Sequence, residues 1–138
     1  QSKLVDIDLE RFNQVLNSNV VSCFLCSREA VRRFPAGSAI VNVSSLASQT
    51  GSPFEYVDYA ASKGAMDTLT KGLSREVAGS GIRVNAVRPG FIYTDMHADG
   101  GEPGRVDRLA PQIPMQRGGS ADEASYVTGS FIDVAGGR

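Results

Sequence analysis

Apolar side chains at Leu9, Phe12, Leu16, Val20, Phe24 and Val31 recur mostly three or four positions apart. That period places them on one stripe of a helix, with Asp8 standing where an N-cap belongs. The polar run Asn17-Ser18-Asn19, followed by β-branched Val20 and Val21, predicts a bend partway along it. Pro-Ala-Gly-Ser at 35–38 breaks the helix, and the β-branched run at 39–43 reads as a short buried strand. Residues 44–58 read as loop. A second helix is predicted over 59–78, with an apolar face of Ala65, Met66, Leu69, Leu73 and Val77. Gly-Ser-Gly at 79–81 closes it, residues 82–87 read as a second strand, and Arg-Pro-Gly ends that strand. From Phe91 to Gly119 the chain is rich in Gly, Pro and charge, which predicts a mobile loop with one short helix near 104–109. Residues 126–134 read as a third strand.

Strand, long helix, strand is a βαβ crossover, and it implies parallel strands with helices packed on them. In open sheets of this kind, ligands sit beyond the carboxyl ends of the strands. That rule selects Ser44-Ser45 after the first strand and Pro89-Gly90 after the second. Both border the segment that contains Tyr59 and, four positions on, Lys63. Residues at i and i+4 face the same way on any helix, so this pair alone decides nothing.

Composition narrows the function class. With 41% hydrophobic and 21% charged residues, 138 residues suit a single soluble domain with one real core. A net charge of −1 leaves no basic footprint for nucleic acid and no polybasic run for acidic membranes. No stretch reaches the apolar length of a membrane span, and the start lacks a signal-peptide layout. Two cysteines do not make a disulfide scaffold, so a reducing cytoplasm is the expected location. Cys23 and Cys26 form a C-x-x-C. Bulky apolar neighbours, a mid-helix position and the absence of a second ligand pair make them buried helix residues rather than a redox or metal site. His97, the only histidine, reads as loop surface.

Taken singly, the remaining polar residues have ordinary readings: Ser45 a turn, Asn19 a helix bend, Pro89-Gly90 a strand stop, Tyr59 and Lys63 a half-buried face. Taken together, "NSNVVSCF", "IVNVSS", "YAASKGA", "IRVNAVRPGFIYTDM" and "YVTGSFIDVAGG" resemble, in order and at matching spacings, segments of the short-chain dehydrogenase/reductase family. The resemblance implies a Rossmann-type doubly wound parallel α/β sheet, NAD or NADP as cofactor, and a carbonyl or alcohol as substrate. It matches Asn19, Ser45, Tyr59 and Lys63 to the catalytic positions, Ser45 being chosen over Ser44 as the second residue of its pair. Lys63 would also hold the nicotinamide ribose, and Pro89, Gly90, Ile92 and Thr94 match the nicotinamide-side loop. It further implies a homodimer or homotetramer packed through the helices of residues 8–34 and 59–78.

The residue types suit the reaction. Hydride addition to a carbonyl leaves negative charge on oxygen, which must be protonated. A phenol ordinarily loses its proton near pH 10, and an ammonium one helical turn away favours the phenolate. Ser45 offers a hydroxyl where charge develops on the substrate oxygen. Asn19 would hold a water that relays protons from Lys63. Asp95, Met96 and residues 99–108 read as a substrate lid, and the polar make-up of the loop from Asp95 to Gly119 favours a small polar carbonyl.

The resemblance breaks in two places. No T-G-x-x-x-G-x-G turn for a pyrophosphate occurs in these residues. Residues 1–138 are therefore expected to be the carboxyl-terminal half of one Rossmann-like domain, with roughly 100 residues of βα units, at about 30 per unit, missing in front. Between Ala121 and Asp122, about three turns of helix also look absent. The competing expectation is a truncated, non-catalytic fragment that self-associates as an interaction module.

Overall fold

The computed structural model describes residues 1–122; the strand expected at 126–134 lies outside the described residues. They fall into two compact units, one formed by Gln1–Arg88 and a second beginning at Pro89.

In the first unit, helix α1 (Leu9–Leu16) opens on Asp8, whose carboxylate accepts the Arg11 backbone N–H at 2.8 Å, as the cap reading requires. The expected bend is a π-helical turn, Asn17–Val21, after which the chain continues as α2 (Ser22–Arg33). One extra residue in the turn shifts the hydrogen-bond ladder, so the Ser22 N–H reaches back five positions to Asn17. The Ser22 hydroxyl takes up the Ser18 carbonyl in the same turn. Leu9 and Phe24, expected on the buried stripe, are 72% and 46% exposed. Phe24 instead lies under the Arg28 guanidinium, 5.7 Å from its ring centre.

Strands β1 (Ala39–Val43) and β2 (Arg83–Val87) pair in parallel, with Ala39 opposite Arg83 and Val43 opposite Val87. Helix α4 (Val57–Val77) makes the crossover between them, starting two residues before the expected Tyr59. Ahead of it, a single turn, α3 (Ala47–Thr50), occupies part of the stretch read as loop. The core is Val77, Ile82 and Val84, with Val31, Ile40 and Leu73 packed against it. The buried face of α4 is more polar than expected: Met66 and Val77 belong to it, but so do Asp58, Ser62, Asp67 and Thr70, while Ala65 is exposed. Each buried polar group needs a partner. Thr70 receives one N–H of Asn42 at 2.9 Å, and Asp58 pairs with Arg11 at 2.8 Å.

The second unit has more order than the mobile loop expected there. It holds α5 (Met96–Asp99) and α6 (Arg105–Leu109), the latter where one short helix was expected. Ile92 and Gly119 form a parallel bridge, so the two ends of this stretch meet. Among its described residues, Val106 and Leu109 are the buried large apolar ones.

Candidate active site

Tyr59 and Lys63 sit one turn apart near the start of α4. The Lys63 ammonium lies 5.6 Å from the centre of the Tyr59 ring. Its Nζ donates to the Val43 carbonyl at 2.8 Å, which ties the lysine to the end of β1. Burial pulls the Lys63 pKa down from the ordinary lysine range, and the neighbouring Cys23 and the Asp67 carboxylate partly offset that pull.

Asn19 lies in the π-helical turn, and the bulge aims its side chain at α4. Its amide Nδ2 donates to Ser62 Oγ at 2.9 Å, and Ser62 Oγ donates to the Tyr59 carbonyl at 2.7 Å. Asn19 is thereby linked to the turn that carries both Tyr59 and Lys63. Ser62 has no exposed surface, and the sequence reading passed over it. Its position directly before Lys63 was the available signal.

The two serines after β1 divide their duties. Ser44 is buried: its N–H donates to the Val87 carbonyl at 2.8 Å, and its hydroxyl to the Lys63 carbonyl at 3.3 Å. Ser45 is half-buried, and its Oγ accepts the Ala47 N–H at 3.1 Å. A hydroxyl that accepts still has its own proton to donate. Ser44 is thus committed to the scaffold, and Ser45 presents a donor.

The residues matched to the nicotinamide side, Pro89, Gly90, Ile92 and Thr94, belong to the second unit. There the sequence reading of His97 is corrected. The ring is buried, and Nε2 lies 2.9 Å from the Ile92 carbonyl, which obliges that nitrogen to carry a proton. The His97 backbone N–H also reaches the Thr94 carbonyl at 3.4 Å. His97 therefore holds both carbonyls, that of Ile92 through its ring and that of Thr94 through its backbone.

Cys26 likewise departs from expectation: it is exposed, while Cys23 is half-buried. Both line a hollow of about 280 Å³ that also borders Asn19, Val43 and Lys63. Among the described residues, no three of His, Cys, Asp and Glu gather as a metal site, and no helix is long and apolar enough to cross a membrane.

A family model described as enoyl-(acyl carrier protein) reductase matches residues 1–138. The uncharacterized oxidoreductase YgfF of Escherichia coli K12 is 63% identical over 155 aligned positions, which take in 100% of this chain and 63% of that protein. Since the chain has 138 residues, the relative carries residues within the aligned span that this chain lacks. Glucose and ribitol dehydrogenase of Daucus carota is 32% identical across 99% of this chain and 50% of its own length. Among solved structures, ElxO with NADP bound superimposes with a TM-score of 0.77 at 32% identity, over 87% of this chain and 50% of that one. A short chain dehydrogenase from Burkholderia cenocepacia in complex with NADP gives 0.79 at 32% identity, over 88% and 49%. The chain spans about half the length of most of these relatives. It belongs to the short-chain dehydrogenase/reductase family, with the α/β, parallel-stranded architecture of that family's Rossmann-type fold.

Proposed function

We propose that the polypeptide carrying these residues is an NAD(P)-dependent oxidoreductase that interconverts a small carbonyl compound and its alcohol. The observation that carries this reading is the joined cluster on α4: Tyr59 and Lys63 on one face, linked through Ser62 to Asn19. The donor set fits a nicotinamide nucleotide. An ammonium has three N–H donors, and one goes to Val43, which leaves two for ribose hydroxyls. When bound, the cofactor supplies or accepts the hydride.

This chain's residues manage the proton. Tyr59 gives its hydroxyl proton to the substrate oxygen in reduction and takes it back in oxidation. Lys63 holds positive charge beside the Tyr59 ring, 5.6 Å from its centre. Ser45 donates its free O–H to the oxygen on which charge develops. Asn19 holds the relay through which Lys63 exchanges protons with water. Pro89, Gly90, Ile92 and Thr94 take the nicotinamide side, with His97 bracing Ile92 and Thr94.

The reading is tested by following NADPH and NADH absorbance with a panel of small aldehydes, ketones and sugars. Turnover of at least one carbonyl is expected, with Ser45→Ala slowed about 10²–10³-fold, the usual loss for one oxyanion donor. Full activity in Ser45→Ala would remove that residue from the mechanism.

A further inference from the structure

One turn beyond Lys63, α4 carries a second ionisable group that the mechanism does not use. Asp67 stands four positions on, hence on the same face of the helix, and is only 6% exposed. Its Oδ2 accepts from Arg88 Nε at 2.8 Å and from Gln49 Nε2 at 3.4 Å. Gln49 lies in α3, just after Ser45, and Arg88 directly follows β2. One carboxylate therefore joins α4 to the segment that carries Ser45 and to the exit of β2. Arg88 is 39% exposed, so the cation of the pair is solvated while the anion is not. Among the described residues, Asp67 Oδ1 is buried and has no hydrogen-bond partner.

We propose that Asp67 is a positioning residue of the reductase site: it clamps α3 and the β2 exit to α4 and, with Arg88, sets the electric field at the Lys63 ammonium. The proposal rests on the role given to Lys63 above. Cys23 from α2, the Val43 carbonyl from β1, and Tyr59 and Asp67 from α4 itself surround Lys63. Around Asp67 stand Arg88, Gln49 and the hydroxyls of Ser48 and Ser44, with Lys71 along the same hollow. Asp67 already acts to keep Lys63 protonated against the pull of burial. Removing its charge lets the ammonium go at lower pH. Removing the Arg88 charge does the reverse, since it leaves the carboxylate uncompensated.

The experiment measures pH profiles of kcat/KM for carbonyl reduction in the polypeptide that carries this chain. Wild type, Asp67→Asn, Arg88→Gln and Tyr59→Phe are compared. The alkaline limb, set by proton loss from the Tyr59–Lys63 pair, is expected to move to lower pH in Asp67→Asn and to higher pH in Arg88→Gln. A merely structural clamp would lower kcat at every pH and leave both limbs in place; that result overturns the proposal, as do two shifts of the same sign. Should Asp67→Asn fail to fold, Arg88→Gln, which changes the solvated partner, decides by itself. Undiminished turnover in Tyr59→Phe would overturn the acid/base reading and this proposal with it. A dead Tyr59→Phe beside unmoved limbs would sink the Asp67 role alone.

Discussion

Lys63 faces competing demands that its surroundings settle. Burial opposes its charge, and the Val43 carbonyl, Cys23 and Asp67 favour it. Lys63→Met fills similar space without the charge or the donors. Turnover is expected to fall by roughly 10²–10⁴, the range for losing an acid/base participant, with little change in helix content. Steady-state kinetics beside circular dichroism would check this. Asp67 makes a separate prediction about stability. Burial pushes its pKa up, but the Ser48 and Ser44 hydroxyls and the Arg88 guanidinium more than offset that, and the net direction is down. A carboxyl depressed in the folded state binds fewer protons there than in the unfolded chain. Its contribution is therefore full above the ordinary aspartate range and is lost as pH falls through the depressed value. Denaturant titrations from neutral into acid pH should show Asp67→Asn less stable than wild type near neutrality, with the gap closing in acid. A gap independent of pH would contradict the linkage. Tyr59 and Lys63 were legible in the sequence because their spacing is local to one helix. The Asn19–Ser62 contact was not, because it depends on how distant segments pack, and the burial of His97 was not, because it depends on how the short stretch around it turns back on Ile92.

At the scale of elements, the pattern reading succeeded where one period ran without interruption. Both strands, the long crossover helix and the Asp8 cap lie within a residue or two of expectation. The bend at 17–21 was legible as a break in helical preference, though its form, a π turn, depends on hydrogen-bond register. The stretch after Pro89 misled because glycine and proline suggest irregular chain, yet they also permit tight packing. Gly118 shows why. A Cβ there would overlap Val106 Cγ1 and come within 2.8 Å of the Tyr93 ring, beside the Ile92–Gly119 bridge. Gly118→Ala is therefore expected to destabilise the second unit by about 1–3 kcal/mol, the usual cost of overpacking. Thermal unfolding or proteolysis after Pro89 would detect it, and an unchanged protease pattern and melting curve would count against this packing.

For the whole molecule, family membership and parallel topology were readable from ordered motifs, because those around β1, α4 and β2 mark the strand ends and helix face of one βαβ unit. Cofactor preference and substrate were not readable, since no pyrophosphate turn occurs in these residues and the polar stretch from Asp95 to Gly119 suits many small carbonyls. The outer face of the strand pair, with Val41 and Val43 more than half exposed and Val87 nearly so, shows how much apolar surface the described residues leave uncovered. The central claim concerns a single hydroxyl: Tyr59 passes the proton that accompanies hydride transfer. It is tested most directly by single-turnover reduction of a carbonyl substrate with saturating NADPH, comparing wild type with Tyr59→Phe. The account predicts NADPH binding within about twofold of wild type and a rate constant for NADPH oxidation lower by at least about 10²-fold. Equal rate constants for the two proteins would contradict it.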